Sequence, residues 1–352
     1  MKKAYLVLSD GSVYEGKAFG ADAGQIGELV FTTGVVGYIE TLTDPCYAGQ
    51  IVMQTFPLIG NYGIIEEDFA GKCALRGYVV REWCDAPSNF RCEYDIDAYL
   101  KKNGIPGICG VDTRAITRKL RDHGPMNAMI CSEVPADLEA IKAYAVSGSV
   151  EEVSGSEIKI YPAENKKHSV AVMDFGMRNY ICAELQKRGC EATVFPANAA
   201  AEDILGGGFD GVVLSGGPGN PADNGAYIAE IQKLMGKLPL FGIGLGHQMA
   251  AIAAGGSVEK MPYGHRGGSQ PVKELATGKT YITSQNHGYC VVSGSVKTAG
   301  QIFENANDHS CEGLYYPDMK ALTVQFEPEC QPGPRDTSFP FDRFISMMGG
   351  EC

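Results

Sequence analysis

The sequence predicts an α/β chain in two parts: a β-rich α/β N-terminal domain, then a domain built on a mostly parallel sheet flanked by helices. Three observations carry this expectation. Short apolar runs bounded by glycine turns fill the first ~145 residues, residues 146–167 turn polar and small, and from His168 apolar strands alternate with amphipathic helices at βαβ spacing. At ~150 residues per domain, 352 residues also imply two to three domains.

In order, Tyr5–Leu8 reads as a first strand ending at the hairpin-type dipeptide Asp10-Gly11, with Val13-Tyr14 following. Glu28–Thr32 and Gln50–Phe56 read as further strands, broken by Gly60-Asn61. Asp95–Lys102 and Thr113–Arg121 have helical periodicity, and Asp112 is placed to cap the second. No nucleophile-plus-base arrangement occurs in this region, which therefore reads as a docking or accessory domain, residues 1–145. Residues 146–167, with two Ser-Gly-Ser runs and Glu164-Asn-Lys-Lys167, have linker composition. In the third segment, 168–352, Ser169–Met173, Glu191–Phe195, Gly211–Leu214 and Leu238–Phe241 are expected strands. Met177–Arg188, Ala226–Met235 and His247–Ala253 are expected helices, the first closed by Gly189. Ligands of such a sheet gather at the carboxyl ends of its strands.

Composition narrows the function classes. Hydrophobic residues make up 44% and charged residues 20%, and no run approaches the ~18 apolar residues of a membrane span. Met-Lys-Lys followed by Ala4–Ser9 reads as a strand, not a signal peptide. Thirty basic against 42 acidic residues give a net charge of −12 with no Lys/Arg cluster, so nucleic acid is not an expected partner. Twelve cysteines include no C-x₂-C pair or other metal-ligand spacing, so no metal is expected in this chain, and the thiols read as reduced in a cytoplasmic protein. Forty-five glycines, roughly 13% against an average near 7%, fall singly and in short clusters, as expected where main-chain groups build a site.

Gly242-Ile-Gly-Leu-Gly246 lacks the third glycine of a G-x-G-x-x-G dinucleotide fingerprint, and it follows the fourth strand rather than the first. It matches better the nucleophile elbow, G-x-[Ser/Cys]-x-G, a strained strand-to-helix turn that raises one side chain above the sheet beside helix N–H donors. The nucleophile position is 244, and it is glycine.

At this point the residues resemble a known family. The second half resembles the class I, triad-type glutamine amidotransferases, and the chain from Leu6 to Phe344 resembles the small subunits of carbamoyl-phosphate synthetase. The matching segments include Thr32–Tyr38, Thr43-Asp-Pro45, Gly60–Gly63, Gly110–Thr117, Leu214–Gly219, Phe241–Gln248, Gly264–Gly267, Thr283–Gly288, Asn307-Asp308, Gln325–Glu329 and Pro332–Asp336. The resemblance implies a C-terminal class I glutamine amidotransferase domain. In such domains a cysteine attacks the glutamine carboxamide, a histidine activates it, and a glutamate two residues on orients the histidine.

Carried over position by position, the nucleophile is Gly244 and the histidine is Glu327; only the acid, Glu329, is retained. Cys46 stands where the family has a serine that contacts glutamine. The remaining glutamine-binding positions implied are Gly217, Gly219, Leu245, Gln248, Asn286, Gly288 and Tyr289. Glutamine hydrolysis is therefore expected to be lost, leaving a docking or regulatory subunit of the large synthetase subunit. ATP and Mg are expected on that partner, no cofactor is expected in this chain, and L-glutamine remains a candidate ligand. The alternatives are a non-catalytic glutamine sensor or scaffold, or an altered hydrolase in which Glu327 and Glu329 with His247 or His287 bind a metal or activate water. Cys290 and Cys46 are the replacement nucleophiles to weigh, each against a buried, inert thiol.

Overall fold

The computed structural model describes residues 2–329 and 332–349. The chain divides into two compact units, Met1–Ser149 and Val150–Cys352.

The first unit contains β1 (Lys3–Leu8), β2 (Val13–Gly20), β3 (Gln25–Thr32), α1 (Tyr38–Thr43), β4 (Gln50–Gln54), β5 (Leu58–Ile59), β6 (Gly77–Val79) and β7 (Glu82–Trp83). It continues with α2 (Ile96–Lys102), β8 (Pro106–Cys109), α3 (Thr113–His123), β9 (Met126–Cys131) and α4 (Glu139–Ala143). Seven strands close a barrel in the order β1-β2-β8-β6-β4-β3-β9. Within it β3, β4, β6 and β8 run parallel, and the remaining pairings are antiparallel.

The period-2 pattern of each strand divides its side chains between two cores. Leu6, Leu29, Ile51, Val79 and Ile108 converge on one with Ile116 and Leu120 of α3, while Val30, Val52, Tyr78 and Val80 join a second with α1 and α2. Helix α3 starts where expected, since Asp112 Oδ1 accepts the Ala115 N–H at 3.0 Å.

The second unit holds α5 (Ser149–Val153), β10 (Lys159–Tyr161), β11 (His168–Asp174), α6 (Tyr180–Lys187), β12 (Cys190–Pro196), α7 (Ala201–Gly206), β13 (Gly211–Leu214), α8 (Gly225–Leu234), β14 (Leu240–Ile243) and α9 (Leu245–Ala253). After these come β15 (Val258–Glu274), β16 (Thr280–Val291), β17 (Gly300–Asn305), β18 (Cys311–Tyr316), β19 (Ala321–Val324) and α10 (Phe339–Met347). One ten-stranded sheet runs β10-β12-β11-β13-β14-β19-β18-β16-β15-β17. Its strands β12, β11, β13, β14 and β19 are parallel. Both faces of that parallel part are covered, by α7, α8 and α9 on one side and α6 and α10 on the other. This is why β11, β13 and β14 carry unbroken apolar runs.

Several boundaries differ from the sequence expectation. Residues 146–167 are not bare linker: α5 forms there, and β10 pairs antiparallel with β12, so polar composition conceals an edge strand. Helix α6 begins three residues after Met177, because Asp174 Oδ1 takes the N–H groups of Gly176 and Met177 at 3.0 and 2.7 Å and holds an intervening turn. Strand β14 begins after Pro239, whose ring leaves no N–H for a ladder, and continues to Ile243, so α9 starts at Leu245. No described helix is long and apolar enough to cross a membrane.

Candidate functional site

The elbow is built as its glycine spacing requires. Between β14 and α9, Gly244 sits at φ 53° and ψ −111°, a conformation in which L side chains are strained. Its N–H donates to Val324 O at 2.9 Å and its carbonyl accepts the Gln248 N–H at 3.1 Å. The surrounding glycines are there for space. A Cβ on Gly246 would lie 2.5 Å from Leu214 O, one on Gly217 2.1 Å from Phe175 O, and one on Gly242 2.9 Å from Thr323 Cγ2. At Gly244 itself the nearest heavy atom would be 3.5 Å away, an ordinary contact. The position at which the resemblance implies a nucleophile thus has room for a side chain and carries none.

The segment after β19 runs beside this elbow, because β19 pairs with β14. Gln325 Oε1 accepts from Gln248 Nε2 at 2.8 Å, and Gln248 Nε2 also donates to Tyr289 O at 2.7 Å. Glu327 bridges to Ser284 of β16, its N–H donating to Ser284 O at 2.9 Å. Its carboxylate forms an ion pair with the guanidinium of Arg178, and Glu329 Oε1 stands 4.0 Å from Arg178 Nη1. Arg178, Glu327 and Glu329 are all buried. A carboxylate engaged this way does not reproduce an imidazole that takes a proton from a thiol.

Of the implied glutamine-binding positions, Gly217 packs against Leu245, and Gln248 is joined to Tyr289. Asn286 and Gly288 lie on β16 with Tyr289, Asn286 opposite Arg266 of β15. Gly219, at φ +87°, turns the chain after β13. Cys46 lies in the first unit, in a 3₁₀ turn where its N–H donates to Asp44 Oδ1 at 2.9 Å.

The histidines are accounted for by packing. His247 is fully buried, its Nδ1 2.7 Å from Thr323 Oγ1, and burial lowers its pKa to about 3, so the ring is neutral. His287 donates from Nδ1 to Tyr289 O at 2.8 Å and orients that backbone; burial holds it well below the usual histidine range. Neither is grouped with Glu327 or Glu329 as a set of metal ligands. His287 instead joins His265 and Glu312, whose ligand-type atoms lie within 4.8 Å of one another. Gln285 Oε1 is 3.0 Å from His265 Nδ1 and 2.9 Å from His287 Nε2, and Asp308 Oδ2 is 3.0 Å from His265 Nε2. The ring nitrogens of this group already serve a hydrogen-bond network. Burial disfavours the charged form of His265, but Glu312 and Asp308 outweigh it and raise its pKa; burial raises that of Glu312. The Cys290 thiol is buried and pushed up to about 11 by that burial, which makes it a poor nucleophile.

Sequence reasoning did not single out Arg178 or Gln325. A lone arginine between a strand end and an apolar helix was the available signal for the first.

Two family models cover most of the chain: "Carbamoyl-phosphate synthase small chain, CPSase domain" matches residues 6–130 and "Glutamine amidotransferase class-I" matches 171–347. The carbamoyl phosphate synthase small chain of Bacillus caldolyticus is 46% identical over 351 residues, covering 98% of this chain and 96% of that one. The pyrimidine-specific small chain of Halalkalibacterium halodurans is also 46% identical, over 98% of this chain and 97% of its own length. Among solved structures, a glutamine amidotransferase from Thermotoga maritima aligns with 51% of this chain and 81% of its own, at 19% identity and a TM-score of 0.39.

Proposed function

The chain belongs to the family of carbamoyl-phosphate synthase small chains, and from that membership we propose that it is a cytoplasmic docking and regulatory subunit whose glutaminase activity is lost. Its partner is the large synthetase chain, which in this reading makes carbamoyl phosphate from free ammonia for pyrimidine and arginine synthesis. The observation that carries the reading is the elbow: its backbone conformation is retained while Gly244 offers no nucleophile. Glu327, at the base position, is held in an ion pair with Arg178. Losing nucleophile or base costs roughly 10⁴–10⁶ in rate, which leaves no useful hydrolysis by water. The same ion pair argues against an altered hydrolase, because the carboxylate that would activate water is engaged.

The test is carbamoyl-phosphate synthesis by this chain with its cognate large chain, fed ¹⁵N-amide glutamine or ¹⁵N-ammonium in parallel. Label from ammonium alone supports the proposal. Label from glutamine overturns it.

A second reading, retained glutamine binding without turnover, is favoured by the space at Gly244 and by the Gln248 side chain fixed against Tyr289 and Gln325. Glutamine at 100 times its Kd would then add about 2.7 kcal/mol of stability, read as a rise in Tm.

A further inference from the structure

The chain as a whole is acidic, yet the fold gathers cations in the first unit. Strands β3, β4, β6 and β8 are mutually parallel, so their carboxyl ends open on one side of the barrel. Residues just past those ends (Thr33, Thr55, Arg81 and Asp112) line one cavity of about 640 Å³ together with α3. Such strand ends are where parallel sheets present ligand-contacting loops.

Helix α3 supplies Arg114, Arg118 and Arg121 to the same cavity. Spaced i, i+4, i+7, they share one helix face over roughly 10 Å of axis. The opposite face buries Ile116 and Leu120, so packing fixes the direction in which the arginines point. Four guanidinium groups meet one lining carboxylate, Asp112, whose Oδ1 already caps α3. Arg121 pairs with Asp122, but Arg81, Arg114 and Arg118 make no ion pair among the described residues. In a chain of net charge −12 this is a local excess of unneutralised cations.

We infer that this arginine groove seats a carboxylate-bearing surface of the large synthetase chain. The inference rests on the docking-subunit reading above and names the residues that perform the docking. Two observations favour a protein occupant over a small anion. All four arginines are exposed, and Arg81, Arg114 and Arg118 have no carboxylate at ion-pair distance among the described residues to hold their forks in place for a compact ligand. Within three residues of lining positions, Val35, Val36, Phe56 and Leu58 are 64, 70, 36 and 37% exposed. Arginine beside exposed apolar side chains is the composition of an interface centre.

The test uses the full chain and its cognate large chain, with binding measured by calorimetry at 50 and 300 mM salt. The wild-type complex is expected to weaken with salt, and R114E/R118E to weaken binding about 30-fold or more, as charge reversal opposite carboxylates does. The milder R114Q/R118Q is expected to fall between them, and it keeps the test valid should the reversal disturb folding, which an unchanged Tm checks. Equal binding by wild type and both variants would overturn the groove assignment and leave the docking reading intact. Absence of any wild-type complex would overturn the docking reading and this inference with it. If inorganic pyrophosphate binds the free chain, the double change abolishes that binding and the complex is unaffected, the occupant is a small polyanion and the inference fails.

Discussion

Arg178 and Glu327 form an ion pair inside the second unit, each less than a tenth exposed, and Glu329 approaches the same guanidinium at 4.0 Å. One cation therefore faces two carboxylates, at the positions where the proposed reading puts a neutral imidazole oriented by one acid. The Glu at 327 is thus accommodated by a specific partner, and its burial is stable only while that partner stays.

That arrangement is asymmetric to mutation. R178M removes the cation that faces two buried carboxylates, whereas E327Q leaves Arg178 beside Glu329. The expected cost of R178M is about 3–5 kcal/mol, the range for breaking a buried pair, and E327Q should cost clearly less. Denaturant unfolding of both variants checks this; equal losses would mean Glu329 does not share the guanidinium.

The elbow glycines separate by cause. G246A drives a Cβ to 2.5 Å from Leu214 O, a backbone atom that cannot swing away, while G244A meets only ordinary contacts. G244A is expected to cost about 1–3 kcal/mol, from backbone strain alone. G246A should exceed it and lower Tm further, and a reversed order in thermal melts would refute the assignment.

Acid should destabilise the second unit early. Folded His247 titrates near pH 3 because it is buried, against 6.5 when unfolded. The unfolded chain therefore binds a proton that the folded chain refuses: the stabilisation is present above pH 6.5 and lost as pH falls toward 3. His287 acts in the same direction. The expected slope is about 1.4 kcal/mol per pH unit for each such histidine. H247Q should flatten it by one proton's worth in unfolding curves between pH 6.5 and 4. His265, shifted upward, acts oppositely, its stabilisation being present below pH 6.5 and lost as pH rises through its folded pKa.

Thiol chemistry should follow burial. Cys182 and Cys311 are pushed up to about 12, and Cys190 and Cys290 to about 11, all by burial. Cys46, Cys84 and Cys92 are partly exposed. Mass-spectrometric mapping after brief alkylation of the native chain at pH 8 is expected to find label on the latter three and none on the former four.

The parallel strands were legible because burial on both faces writes an unbroken apolar run, as in Gly211–Leu214. Gly244 was legible because an elbow has fixed glycine spacing. What escaped was whatever depends on distant parts of the chain meeting. Strand β10 is hidden in linker-like composition because an edge strand needs little apolar surface. The hairpin of β15 and β16 escaped because bulges between Lys260 and His265 and between Gly267 and Gln270 break its alternation. Arg178 lies 149 positions from Glu327, so the buried pair leaves no local pattern; Arg114, Arg118 and Arg121 share a helix face at i, i+4, i+7 spacing, but Arg81, 33 positions from Arg114, joins them only in the fold.

If the elbow has lost only side chains, restoring them should restore chemistry. G244C places a thiol at the start of α9, where N–H groups favour the thiolate, in a space that admits a Cβ. Alone it should remain inactive, because Glu327 stays paired with Arg178 and no base is within the set. E327H alone lacks the nucleophile and should be equally inactive. The double variant has thiol, imidazole and Glu329, and the neighbouring Arg178 cation favours the neutral imidazole that a base requires. Since triad members act as a unit, recovery should be far more than additive. Ammonia release from glutamine is expected from G244C/E327H only. Comparable release from G244C alone would show Glu327 acting as the base despite its ion pair.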